Sequence, residues 1–115
     1  MRRGDIVSVS FGPAQGPETA KTRPAVVVSN DAANATATRL GRGVVTVVPV
    51  TSNTTRVYPF QVLLPSHLTG LPLDSKAQAE QVRSVAVERV GKQLGQLPAS
   101  LVADLDRALR VHLSL

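Results

Sequence analysis

A series of short apolar runs, each ended by glycine, proline or small polar residues, limits the fold of this chain more than any other feature. Val7, Val9 and Phe11 alternate with serines, which predicts a strand with one apolar face. Further strands are predicted at residues 24–28, 44–50, 60–64 and 76–82, with a last one around 92–97. Pro49 has no N–H to donate, so it should lie at an edge or a bulge near the end of its strand.

Helical patterns are rarer. Residues 29–31 could cap a short helical turn over residues 32–35, whereas residues 36–43 are typical of a polar loop. The C-terminal segment predicts a helix, because an apolar stripe begins at Leu101 with helical spacing and Pro98 suits the first turn. Five or six strands and one terminal helix predict a mainly β, α+β fold, a small and strongly bent barrel. At 115 residues, we expect a single domain over residues 1–115.

The charge balance favours an anionic partner. The chain carries 13 Lys and Arg against 8 Asp and Glu, a formal net charge of +5. Most of the excess lies in residues 1–60, which hold seven basic and three acidic residues. Such a field suits a phosphate polymer or an acidic protein partner, although it also serves general solubility.

Composition excludes several kinds of chemistry. The chain has no cysteine, so disulfides, thiolate nucleophiles and cysteine zinc sites are excluded. His67 and His112 are 45 positions apart and neither has a carboxylate cluster nearby, so we expect no metal site and no cofactor. No signal peptide or membrane span is evident, which predicts a cytoplasmic protein.

Three polar segments remain as candidates. Arg23 stands between a long loop and a buried strand, and Pro24 holds it extended, so its guanidinium could present a rigid fork to a phosphate. Residues 51–53 place two hydroxyls and an amide directly after a strand. Residues 76–83 are unusually polar for an interior strand. Each segment also has a purely structural interpretation. Arg23 could be a surface arginine, residues 51–53 a turn, and residues 76–83 a solvated edge strand.

Taken in order, these segments resemble a known family. The blocks are "RGDI" from Arg3, "RPAVVVSND" from Arg23, "VPVTS" ending at Ser52 and "EQVR" from Glu80. Each is weak alone, but in register from Arg3 to Leu113 they resemble the MazF/PemK toxin endoribonucleases, especially mycobacterial and actinobacterial members. One departure is Val7, where many relatives have an aromatic residue.

The resemblance implies a compact SH3-like barrel of the MazF/Kid/CcdB type, a homodimer, and metal-independent cleavage of single-stranded messenger, ribosomal or transfer RNA. It implies neutralisation by a cognate MazE-like antitoxin whose C-terminal tail occupies the RNA groove. By motif, Arg23 and Thr51 are the expected catalytic pair. The positions expected to line the RNA path are Phe11, Glu18, Asn30, Ser52, Asn53, Ser75, Glu80 and Gln81.

The implied reaction is attack of a ribose 2′-hydroxyl on the adjacent phosphate, which needs no protein nucleophile. Because arginine stays protonated at neutral pH, proton transfer by Arg23 is left open, and Glu80 or a water could act instead. The scarcity of aromatic residues argues against a platform of several stacked rings. Two alternatives stay open: a toxin of the same fold that binds DNA gyrase, and a binding module without turnover. The joint presence of Arg23 and Thr51 favours the nuclease.

Overall fold

The computed structural model describes residues 1–12 and 21–115. Within them, seven strands are β1 (Asp5–Ser10), β2 (Thr22–Val27), β3 (Val44–Thr51), β4 (Gln61–Leu64), β5 (Ser75–Gln78), β6 (Arg83–Ala86) and β7 (Val90–Gln96). The helices are α1 (Asp31–Leu40), α2 (Ser66–Thr69) and α3 (Ala99–Leu113). The predicted mainly β, α+β fold with a C-terminal helix is confirmed.

Strand β3 organises the antiparallel sheet because it pairs with three other strands. The sheet order is β4-β5-β3-β2-β1-β7, and β6 also pairs with β3. Residues 44–47 of β3 pair with β6, whereas Val50 and Thr51 pair with β5. Pro49 falls between these two paired segments, near the end of β3, as its missing N–H predicts.

The sheet is apolar on both faces. One face packs against α3 through Leu101 and Leu105, together with Ile6, Val26, Val48 and Val50. The other face packs against Ala37 of α1, together with Val7, Val9, Ala25, Val27, Val45, Val47 and Val85. Fully burying one such side chain contributes about 1.5–3 kcal/mol. The two clusters fix the strands rigidly and leave the strand ends to carry polar side chains.

Helix α1 is longer than the predicted turn over residues 32–35, and the predicted loop over 36–43 is wrong as far as Leu40. Only Asn34 and Ala37 of α1 are buried, so the segment shows little apolar periodicity. Asn34 Nδ2 donates to the Ser29 carbonyl at 2.9 Å, which docks the helix by hydrogen bonds rather than by a hydrophobic stripe. Gly41 ends it in the left-handed conformation, with φ at 66°.

The predicted strand over residues 76–82 is divided. Strand β5 ends at Gln78, a 3₁₀ turn spans Ala79–Gln81, and β6 begins at Arg83. The turn breaks the alternation of faces, so the polar residues on either side of it reach different surroundings. Among the described residues, no helix is both long and apolar enough to span a membrane.

The "RGDI" block has a structural role. Arg3 donates from its guanidinium to Asp106 of α3 at 2.6 Å and to the Val28 carbonyl at 2.9 Å. Its backbone N–H donates to Asp31 at 2.6 Å, and this bond lowers the pKa of the Asp31 carboxyl below its ordinary value of 3.8. The N-terminal turn therefore joins β1 to the first turn of α1 and to α3.

Candidate functional site

One face of the sheet changes from apolar to cationic where β1 ends and β2 begins. In the β1–β2 pairing, Val9 lies opposite Arg23, and the Phe11 N–H donates to the Lys21 carbonyl at 2.9 Å. Because side chains alternate along a strand, Lys21 and Arg23 continue the face that carries buried Ala25. The apolar cluster under α1 thus ends in two exposed basic side chains.

The β2–β3 register brings Arg23 towards Thr51. Ala25 pairs with Pro49, and Val26 pairs with Val48. Arg23 and Thr51 each lie two residues beyond the Ala25–Pro49 pair, at adjoining ends of β2 and β3. The fold therefore brings the strand ends that carry these two residues to the same part of the sheet.

These strand ends line a shallow groove of about 290 Å³, formed by Phe11, Lys21, Arg23, Pro49, Gln81 and Arg83. The Arg83 guanidinium carbon lies 5.3 Å from the centroid of the Phe11 ring, a distance typical of a cation–π contact. None of the ion pairs among residues 1–12 and 21–115 involves Lys21, Arg23 or Arg83. Three exposed cations around one concave surface make it suitable for a phosphate-bearing ligand.

Thr51 is half-buried and held by the turn that follows β3. Its Oγ1 accepts the Asn53 N–H at 3.2 Å, and Asn53 Oδ1 in turn accepts the Thr55 N–H at 3.2 Å. Because the Thr51 oxygen is the acceptor in this contact, the hydroxyl proton stays available for donation to a ligand. Ser52 is exposed beside it, so residues 51–53 present small polar groups in a fixed turn.

The 3₁₀ turn after β5 supplies the next two polar residues. Gln81 is exposed and lines the groove. Glu80 is half-buried, and its Oε2 accepts a hydrogen bond from Gln61 Nε2 at 2.7 Å. The other carboxylate oxygen, Oε1, is buried and has no partner within the described part of the chain.

Two expected RNA-path residues lie elsewhere. Asn30 caps α1 through its Oδ1, which accepts the Ala33 N–H at 2.8 Å, and it lies beyond the C-terminal end of β2, whereas Arg23 lies near the N-terminal end. Ser75 is buried and donates its hydroxyl to the Leu73 carbonyl at 3.0 Å. Glu18 lies outside the described residues.

The histidines take no part in the groove, since neither lines it, and both are exposed. Among the residues that the structure describes, no group of three or more His, Cys, Asp or Glu could hold a metal ion. Sequence reasoning did not single out Lys21. It considered Arg83 only as part of a polar strand. The period-two spacing of Lys21 from Arg23 is the signal that could have found the first.

Comparisons with known proteins identify the family of the chain. The family model described as "PemK-like, MazF-like toxin of type II toxin-antitoxin system" matches residues 2–113. The chain is 63% identical over 115 residues to "Endoribonuclease MazF9" of Mycobacterium tuberculosis strain H37Rv, covering 100% of this chain and 98% of that protein.

Solved structures of the same family share the fold. MazF from Deinococcus radiodurans (Form-I) has a TM-score of 0.76 and 31% identity, with 100% of this chain and 97% of that chain covered. A MazE–MazF structure (Form-II) from the same organism has a TM-score of 0.78 and 32% identity, with 100% and 96% covered. With the motifs in register, the fold shared and the family model spanning nearly every residue, the chain belongs to the PemK-like, MazF-like toxins of type II toxin–antitoxin systems.

Proposed function

We propose that this toxin is a sequence-specific endoribonuclease that cleaves single-stranded RNA through the ribose 2′-hydroxyl, with Arg23 and Thr51 acting on the scissile phosphate. Endoribonuclease activity is the function of the toxin family to which the chain belongs, and its relative at 63% identity is named for it. The gyrase-binding alternative is not supported. A binding module without turnover would not need Arg23 and Thr51 at adjoining strand ends.

The observation that carries the proposal is that the β2–β3 pairing brings together the strand ends that carry Arg23 and Thr51, beside a groove that Arg23 lines with two further cations. Attack by the 2′-hydroxyl creates a phosphorane with one more negative charge than the phosphodiester. A guanidinium fork and a hydroxyl donor held on rigid strands stabilise that added charge. The bond that breaks is P–O5′, so the products carry a 2′,3′-cyclic phosphate and a 5′-hydroxyl.

Proton transfer falls to groups around the pair. Arginine remains protonated at neutral pH and is a poor base. Glu80 is half-buried and directly precedes Gln81, which lines the groove, so we assign the role of base to Glu80 or to a water. The attacking and leaving groups both belong to the substrate, so the route requires no metal ion and no cofactor.

Partners follow from the family. Similar structures contain MazE with MazF, so we propose that a cognate MazE-like antitoxin neutralises this chain and that its acidic C-terminal tail competes with RNA for the cationic groove. We also propose that the toxin is a homodimer. It would act in the cytoplasm, where RNA substrates and the antitoxin are made. By inhibiting translation, cleavage would arrest growth.

A modified substrate tests the proposed chemistry. Sequencing the new 5′ ends of cut RNA locates the cleavage site, and the ribose on the 5′ side of that phosphate is then replaced by deoxyribose. We expect the modified oligonucleotide to bind and to remain uncut, because the attacking hydroxyl is gone. An oligonucleotide with the same replacement two nucleotides away is the control and should be cut normally. Cleavage at the deoxyribose would refute the proposal.

A further inference from the structure

Tyr58 and Phe60 form a stacked pair of rings beside the proposed catalytic pair. Their centroids are 5.3 Å apart and their planes differ by 3°. From the sequence we expected no stacking platform, because the chain has only one tyrosine, two phenylalanines and no tryptophan. Two of these three rings nevertheless lie together, and Tyr58 keeps 41% of its surface exposed. An exposed stacked pair needs an explanation other than core packing.

A tight turn holds the rings in place. The Gln61 N–H donates to the Tyr58 carbonyl at 2.8 Å, and the Tyr58 N–H donates back to Gln61 Oε1 at 3.2 Å. Pro59 occupies the second position of this four-residue turn, where its fixed φ is preferred. Gln61 is itself fixed by its bond to Glu80. The rings are therefore positioned before a ligand arrives, which lowers the entropic cost of binding.

Two cations flank the Tyr58 ring. The Arg56 guanidinium carbon lies 5.7 Å from the ring centroid, and Lys76 Nζ lies 5.8 Å from it. Lys76 is 8% exposed and donates to the Arg56 carbonyl at 2.6 Å, so it ties residue 56 to β5. Neither cation is paired with a carboxylate in the described ranges. A half-exposed pair of rings with two cations nearby, neither of them paired with a carboxylate, suits a ligand that has a planar base and a phosphate.

Register places this pair next to the catalytic residues. Thr51 lies directly opposite Lys76 in the β3–β5 pairing. The Lys76 side chain therefore runs from the strand position opposite Thr51 to within 5.8 Å of the Tyr58 ring centroid. A nucleotide adjoining the phosphate at Thr51 can reach the ring without leaving the surface. An acidic peptide would satisfy the cations but has no planar group for the ring.

We propose, resting on the ribonuclease function above, that Tyr58 and Phe60 form a stacking subsite for a nucleobase next to the scissile phosphate. The exposed Arg56 contacts the phosphate on the far side of that base, and the buried Lys76 holds residue 56 in place. Because every base has a π-face, the subsite contributes affinity rather than base identity. Its loss should weaken RNA binding about 5- to 150-fold and leave single-turnover cleavage at saturating RNA within a few-fold of the unmodified enzyme.

Tyr58 is also the probe for the test. It is the only tyrosine and the chain has no tryptophan, so intrinsic emission comes from this ring alone. The uncut deoxyribose oligonucleotide is titrated into the protein, with N-acetyltyrosinamide correcting for absorption by RNA. We expect quenching that saturates with the dissociation constant obtained from fluorescence anisotropy of labelled RNA. An oligonucleotide that lacks one base beside the scissile phosphate should bind more weakly and quench less.

Two substitutions of Tyr58 extend the test. Tyr58→Phe keeps the ring and should bind RNA within threefold of the unmodified protein, whereas Tyr58→Leu should lose affinity and become insensitive to the missing base. Unchanged emission on full binding, or equal affinity for all bases removed one at a time, overturns the subsite while leaving the nuclease proposal intact. RNA that is neither bound nor cut overturns both. Should Tyr58→Leu fail to fold, the base-removal series on the unmodified protein decides.

Discussion

Replacing Arg23 by alanine should remove most of the catalytic rate and almost none of the stability. The side chain is exposed, and it forms no ion pair within residues 1–12 and 21–115. Surface substitutions of this kind usually change the free energy of unfolding by less than about 0.5 kcal/mol. The arginine therefore has little to do in the folded protein until a ligand occupies the groove.

The effect on the rate follows from the charge added in the transition state. One added negative charge about 4 Å from a guanidinium interacts with it by about 1 kcal/mol in water and about 4 kcal/mol at an effective dielectric constant near 20. Arg23 is exposed until RNA covers it, so the value lies between these limits. The expected loss in the cleavage rate is on the order of 10²–10³, as for other donors that stabilise developing oxyanions.

The assay is single-turnover cleavage of a short RNA in EDTA, with thermal unfolding of the same samples. Arg39→Ala is the matched control, because Arg39 is an exposed arginine at the C-terminal end of α1 and its loss changes the net charge equally. Arg23→Lys keeps the charge but loses the fork, so it should recover only part of the rate. A rate for Arg23→Ala equal to that of Arg39→Ala would refute the assignment.

Three further predictions concern single residues. Thr51→Ser should keep most of the single-turnover cleavage rate, whereas Thr51→Val should lose at least tenfold, because only serine keeps the hydroxyl donor. Equal rates for the two variants would exclude Thr51 from the mechanism. Gly95→Ala should destabilise the protein by about 1–3 kcal/mol in urea unfolding, because the added Cβ would lie 2.1 Å from the Thr69 carbonyl oxygen; unchanged stability would contradict that contact. The folded state lowers the pKa of Asp31, so its stabilising effect is present above its ordinary value of 3.8 and is lost as the pH falls through the lowered pKa. Asp31→Asn should therefore be less stable than the unmodified chain at pH 6, and this difference should shrink as the pH falls below 3.8; a constant difference would exclude this linkage.

Local pattern was enough for the elements with strong periodicity. The alternation at Val7 and Val9 and the apolar stripe from Leu101 identified β1 and α3, because each buries one regular face. Helix α1 was underestimated for the opposite reason. Its buried face consists of Asn34 and Ala37, and a hydrogen-bonded polar side chain leaves no hydrophobic signal. Gly41 as a C-cap was the available signal for its end.

Long-range pairing decided the rest of the site. That β3 exchanges β6 for β5 halfway along its length is a property of the whole sheet, and no local pattern predicts it. Motif blocks identified Arg23 and Thr51, but only the β2–β3 register shows that the strand ends carrying them adjoin. Tyr58 and Phe60 were missed because composition alone was weighed; the Tyr-Pro-Phe spacing, with proline at the second position of a turn, could have brought the two rings together.

The chemical ends of the RNA products test the central claim most directly. The unmodified toxin is incubated with a short single-stranded RNA in excess EDTA, and the masses of both fragments are measured by mass spectrometry. If Arg23 and Thr51 stabilise attack by the 2′-hydroxyl, the upstream fragment carries a 2′,3′-cyclic phosphate and the downstream fragment a 5′-hydroxyl. Fragments with a 3′-hydroxyl and a 5′-phosphate, or cleavage that appears only when magnesium is restored, would contradict the account.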